Sequence, residues 1–342
     1  MRPLRNKLLR RVLALAPLLL SVATAAEVLN VYSHRHYGVD QEINELFTQK
    51  TGIEVKVVNA EADQLIERLK SEGANSPADV LITVDAGRMQ RARAEGLLQP
   101  LKSEILEQAT PENLRDADGH WFPYTVRARV ILVAADRVKA GEIKDYEDLA
   151  KPEWKARLLV RSSSSSYNQS LAASLISAHG EEKATAWAKG VASNLARPPQ
   201  GGDRDQIKAV AAGLADVCVA NTYYFGLLLN SPDAAERAAA AKMRLVFPNQ
   251  DGRGTHVNIS AAGITRHAKN PQNAKAFLEF LVTPEVQQLI AAGSYEYPIS
   301  MDFTLNPTHQ TWGSFKIDTE TFAKMGEDQE KTSRLFDAAA WK

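Results

Sequence analysis

Residues 28–58, VLNVYSHRHYGVDQEINELFTQKTGIEVKVV, read as strand, helix, strand. Val28-Leu29-Asn30-Val31-Tyr32 is rich in side chains that suit a pleated surface. Ile43, Leu46 and Phe47 mark one face of a helix that Gly52 stops, and Ile53 to Val58 alternates as a second strand. The pattern continues: Leu65, Ile66 and Leu69 mark a helix ending at Gly73, and Asp79 to Val84 is a third strand followed by a helix to Gly96. This β-α-β-α-β order implies an α/β domain with a mostly parallel sheet flanked by helices.

A second series begins near Val126. Val130 to Ala135, Leu158 to Arg161, Asp216 to Ala220 and Val257 to Ile264 are strand-like. Leu171 to Ala178, Glu182 to Val191 and Ile207 to Ala212 are helical, and Pro271 to Val282 and Pro284 to Ala292 start with proline in the first turn. Arg197-Pro198-Pro199-Gln200-Gly201-Gly202 breaks the series. The 342 residues suit two domains better than one core.

The start of the chain differs from the rest. Arg2, Arg5, Lys7, Arg10 and Arg11 precede an apolar run from Val12 to Leu20 and the small residues Ser21 to Ala26. This is the layout of a cleavable secretory signal over residues 1–26, with an apolar run too short for a permanent span. Taking its five cations from the 41 basic residues leaves 36 against 41 acidic, a net of −5. The absence of a basic excess excludes nucleic-acid binding by bulk charge. The single cysteine, Cys218, has apolar flanks and is expected in a buried strand. With no cysteine near the cleavage site to carry a lipid, the expected location is the periplasm.

Ligands of open α/β sheets sit beyond the carboxyl ends of the strands. Three such segments are Ser33-His34-Arg35-His36-Tyr37, Ser162-Ser163-Ser164-Ser165-Ser166-Tyr167-Asn168 and Asn221-Thr222-Tyr223-Tyr224. Four of the nine tyrosines lie in them. Phenolate is a hard anionic donor suited to Fe³⁺, whereas zinc and copper(I) ask for thiolate or imidazole and calcium for clustered carboxylates. Any one of these tyrosines taken alone reads first as a half-buried packing residue with a wet hydroxyl, and the Tyr223-Tyr224 pair also reads as an aromatic wall for an organic cation. The serine run reads as a flexible loop or as an anion cradle. No Gly-x-Ser-x-Gly, His-Glu-x-x-His, Walker loop or dinucleotide fingerprint favours an exported enzyme.

These segments resemble the bacterial ferric-iron-binding proteins of ABC importers, transferrin-like type II periplasmic binding proteins, and within them the cyanobacterial and Campylobacter-type subgroup. The likeness rests on Tyr32-Ser33-His34-Arg35-His36-Tyr37, Lys70 to Val80, Ser166-Tyr167-Asn168-Gln169-Ser170, Ala220-Asn221-Thr222-Tyr223-Tyr224 and Phe247 to Asn258. It implies a two-lobed fold with a ligand cleft between lobes: residues 27–126 with 256–298, and 127–255 with 299–342. It implies Fe³⁺ as transported ligand, with Fe²⁺ as a second candidate, held by His36, Tyr37, Tyr167, Tyr223 and Tyr224. Val84 stands where better-known relatives carry a glutamate ligand, which favours a site made by protein alone, with carbonate or another anion optional. Arg127 is then expected behind the ligands, bonded to a phenolate or carbonate, with a hinge salt bridge as the alternative. The implied partner is an inner-membrane ABC permease, served by a monomer that is not an enzyme.

Overall fold

The computed structural model describes residues 27–322, 324 and 329–342, so the expected signal at 1–26 lies outside the described residues. Strand β1 (Val28–Ser33), α1 (Gly38–Thr51), β2 (Glu54–Asn59), α2 (Ala62–Glu72), β3 (Val80–Thr83) and α3 (Ala86–Ala94) follow the alternation read from the sequence, and α4 (Glu104–Ala109) closes this part. Helix α1 buries Val39, Ile43 and Phe47 and ends at Gly52, whose φ of 76° a side chain would disfavour. Phe47 meets Phe277 edge to face at 5.1 Å.

Next come β4 (Phe122–Ala134), β5 (Leu158–Leu159), α5 (Ser166–His179), α6 (Glu181–Ser193), α7 (Asp203–Ala211), β6 (Val217–Asn221), α8 (Thr222–Leu229), α9 (Ala234–Ala240) and β7 (Met243–Val246). The chain finishes with β8 (Val257–Ile264), α10 (Pro271–Leu281), α11 (Pro284–Ser294), β9 (Tyr297–Pro298), α12 (Pro307–Trp312), α13 (Thr319–Phe322) and α14 (Gln329–Ala339). Cys218 is fully buried in β6, as its flanks imply.

The sheets are mixed. Strand β1 runs parallel to β2 and β3, and β5 runs parallel to β6. Strand β8 is antiparallel to both β3 and β4, and β4 is antiparallel to β6, β7 and β9. The reason lies in β4. Its first half, Phe122 to Ala128, pairs with β8, and its second half, Arg129 to Val133, pairs with β6. One strand therefore serves two sheet regions, and all thirteen of its residues are buried. The sequence pattern placed its start late because a strand buried on both faces has no polar alternation to mark its ends.

The larger core fills the space around β1, β3, β4 and β8, with Leu29, Val31, Val80, Val126 and Ile259 all at or near zero exposure. A second cluster joins Ile131, Val133, Trp154 and Trp187 to Leu335, Phe336 and Trp341 of the C-terminal segment.

Helix α8 escaped the sequence reading. Its residues Thr222, Tyr223, Phe225, Gly226 and Leu228 are buried around most of its circumference, so no amphipathic period exists. Gly226 lets this helix approach Tyr295: an added Cβ would come 2.8 Å from the Tyr295 Cβ. Helix propensity alone predicts that Gly226→Ala gains about 1 kcal/mol. The close approach predicts the opposite, a loss of roughly 1–3 kcal/mol from overpacking, seen as a lower midpoint in urea or thermal unfolding.

Candidate metal centre

Each tyrosine of the strand-end segments sits at the start of a helix. Tyr37 caps α1 in extended conformation, and its backbone N–H donates to Asp40 Oδ2 at 2.9 Å. Tyr167 is the second residue of α5, directly after the serine run. Tyr223 and Tyr224 lie in the first turn of α8, which continues from β6 without a break. A helix starting at the end of a strand turns its first residues toward the crevice beyond the sheet.

The structure brings these four together. Tyr37 Oη donates to Tyr223 Oη at 3.2 Å, and the Tyr167 and Tyr223 hydroxyls are 3.1 Å apart. The Tyr223 and Tyr224 rings are 4.1 Å apart, centre to centre. Tyr223 is fully buried, and Tyr37, Tyr167 and Tyr224 are half-buried. His36 is exposed at the margin, its ring stacked on that of Tyr37 at 5.5 Å and its Nδ1 3.4 Å from the His34 carbonyl oxygen.

Val84 presents a carbonyl rather than a carboxylate, and that carbonyl accepts from Arg127 at 2.9 Å. Asp85 turns away to cap α3, accepting from Arg88 N at 3.0 Å and from Asn258 Nδ2 at 2.6 Å. No acid therefore enters from this strand.

Two buried arginines stand behind the tyrosines. Arg127 pairs with Glu296 Oε1 at 3.2 Å and donates to Ser260 Oγ. Among the described residues its partners are thus Val84, Ser260 and Glu296. Arg129 pairs with Asp203 at 2.6 Å and donates to Asn168 Oδ1 at 2.9 Å and Asn221 Oδ1 at 3.2 Å. It thereby joins the starts of α5, α7 and α8, and with them Tyr167, Tyr223 and Tyr224. Arg129 lies near the expected crossover in sequence, but its partners are 39 to 92 residues away, and no local signal announced them.

Burial pushes the Tyr37, Tyr223 and Tyr224 phenols well above the ordinary range, and the neighbouring phenols reinforce it. Glu296 also raises Tyr37, while Arg127 opposes the rise at Tyr37 and Tyr223. Burial disfavours a charged Arg127, yet the Glu296 carboxylate holds it protonated. The phenols of Tyr37, Tyr223 and Tyr224 are therefore held in their neutral form.

Two other features compete for attention. Asp116, Asp118 and His120 are close enough for a cation, but Arg93 occupies both carboxylates, with its Nε 3.1 Å from Asp116. A cavity of about 720 Å³ runs between α1 and the edge strand β2, lined by Gln41, Asn44, Val55 and Val57, and reaches the outside of the Arg35–Tyr37 loop. Its lining includes Tyr37 but not Tyr167, Tyr223 or Tyr224, so the place where the four hydroxyl-bearing rings meet lies outside it.

Two sheet regions sharing β4, with a polar cluster where helix starts converge, define a two-lobed solute-binding protein. The chain belongs to the family of bacterial extracellular solute-binding proteins, whose profile matches residues 75–323. It is 50% identical to iron uptake protein A1 of Synechocystis sp., over 92% of this chain and 87% of that one. It superposes with a TM-score of 0.87 on a Trichodesmium protein in complex with iron and citrate, at 47% identity, covering 92% of this chain and 100% of the other. The ferric binding protein of Campylobacter jejuni gives the same TM-score at 43% identity, with 92% and 100% covered.

Tyrosines in an unfolded chain ionise near pH ~10. Because Tyr37, Tyr223 and Tyr224 ionise later when folded, the unfolded state loses protons first. Their contribution to stability is complete below about pH 10 and is lost as pH rises beyond it. Ultraviolet titration of metal-free protein should show these phenols ionising only together with alkaline unfolding. Ordinary titration of all nine tyrosines in the folded state would contradict the buried cluster.

Proposed function

We propose that this chain is the substrate-binding component of an iron ABC importer, taking Fe³⁺ through phenolates and passing it to an inner-membrane permease. The observation that carries the reading is the convergence of Tyr37 and Tyr167 on the Tyr223 hydroxyl, at 3.2 and 3.1 Å, with Tyr224 stacked beside it. Four hard, ionisable oxygens without thiolate or carboxylate suit a small, highly charged cation. The iron-uptake and iron-binding names of its relatives point the same way. These relatives bind and transport a substrate; they are not enzymes.

In this reading Tyr37, Tyr167, Tyr223 and Tyr224 are the ligands, with His36 as a fifth that must swing in from its exposed position. The lobes are residues 27–126 with 256–298, and 127–255 with 299–342. Tyr37 comes from the first lobe and the other three tyrosines from the second, so a bound ion favours the closed form that presents all of them together. Fe²⁺ is a weaker alternative cargo, since lower charge competes less well with protons for phenolate. An accompanying anion, carbonate or a citrate-like chelator, is compatible with the donor set and not required by it. The protein acts in the periplasm as a monomer after removal of residues 1–26.

Adding Fe³⁺ as a weak chelate to metal-free protein should produce a phenolate-to-iron charge-transfer band that saturates at one ion per chain. The double substitution Tyr223→Phe, Tyr224→Phe should abolish it; full affinity in that variant would reject the ligand assignment. Each phenol ionised on binding releases a proton, so affinity should fall on acidification by roughly tenfold per pH unit per proton released. A pH-independent affinity between neutrality and mild acid would count against phenolate ligation. Colourless binding of an organic cation would make the tyrosines walls instead.

A further inference from the structure

Arg35 is buried under the loop that carries His36 and Tyr37, with 2% of its surface exposed. Its guanidinium lies 4.8 Å from the centre of the Tyr37 ring. It donates through Nε to Asp40 at 2.9 Å, and through Nη1 to Ser260 Oγ at 2.7 Å and Glu296 Oε2 at 2.5 Å. Glu296 is wholly buried. It follows α11, and β9 pairs Tyr297 with Val126, which brings Glu296 beside Arg127. Its second oxygen contacts Arg127 at 3.2 Å, and Ser260 of β8 accepts from both arginines.

We infer that Glu296 is a positioning residue for the ligand Tyr37: its carboxylate clamps Arg35 to Arg127 and so fixes the guanidinium against which the Tyr37 ring rests. The inference depends on the reading of Tyr37 as an iron ligand. One oxygen of this buried acid accepts a hydrogen bond from Arg35 and the other lies in ion-pair contact with Arg127, so the carboxylate sits between two cations. Three chain segments meet at it: the Arg35 loop, β4 and the start of β9, with β8 joined through Ser260. The starts of the helices that carry Tyr167, Tyr223 and Tyr224 are joined by the separate Arg129–Asp203 group.

Two effects of losing the carboxylate have opposite signs. Loosening Arg35 releases Tyr37 and weakens iron binding. Uncovering positive charge near phenolates strengthens binding, and acts on several tyrosines at once. The test is a pair of double-mutant cycles on the full mature chain, with Fe³⁺ affinity measured by competition against a chelator. Glu296→Gln, folded by circular dichroism, should weaken binding by roughly ten- to a hundredfold and shift the charge-transfer band. Its effect should largely vanish in a Tyr37→Phe background and persist within about twofold in a Tyr224→Phe background. Tighter binding, or equal effects in both backgrounds, overturns the positioning role while Tyr37→Phe still reports a ligand. A silent Tyr37→Phe overturns it along with the ligand reading itself. Should Glu296→Gln fail to fold, Arg35→Lys takes its place in the same cycles, keeping the charge and losing the fork that spans Asp40 and Glu296.

Discussion

A strand that belongs to two sheet regions must be buried along its whole length, and β4 is. Everything near the centre follows from that constraint. Its backbone groups are taken by β8 and β9 over the first half and by β6 and β7 over the second. At the changeover stand Arg127 and Arg129, two long cations carried into the interior by the strand itself. An uncompensated buried charge costs several kcal/mol or more, so acids have to meet them there. Glu296 comes to Arg127 from the segment after α11, and Asp203 to Arg129 from the start of α7.

These two groups organise the chemistry at different removes. Arg129 collects Asn168 from the first turn of α5, Asp203 from the first position of α7 and Asn221 from the cap of α8, and so ties the starts of these helices together. The Arg127 group reaches the loop after β1 through Arg35 and Ser260. Breaking a pair of this kind by removing one partner typically costs about 3–5 kcal/mol, which makes each group a rigid mount. Between the mounts lie phenols that burial keeps neutral. Their protons would have to be displaced before their oxygens could serve as anionic donors.

Much of this architecture was legible in local sequence. Ile43 and Phe47, and Leu65 and Leu69, carry a helical period because their helices have one buried and one wet face. The edges of α10 and α11 announced themselves through Pro271 and Pro284. Helix α8 was silent because it is buried nearly all round, and the start of β4 because both its faces are covered. The tyrosines were found as residues at strand ends, but not as first-turn helix residues.

The alternation of elements, the tyrosine-bearing segments and the hard oxygen donors they offer are all written in local sequence. These are properties of neighbouring residues, and periodicity or composition records them. The folded chain was needed to see that Tyr37 meets Tyr223 across 186 residues, that His36 stands outside the hydroxyl cluster, and that Glu296 answers Arg35 across 261. Such pairings are set by how β4 and β8 fold the sheets against one another, and a single chain of residues carries no local trace of a partner chosen by that geometry.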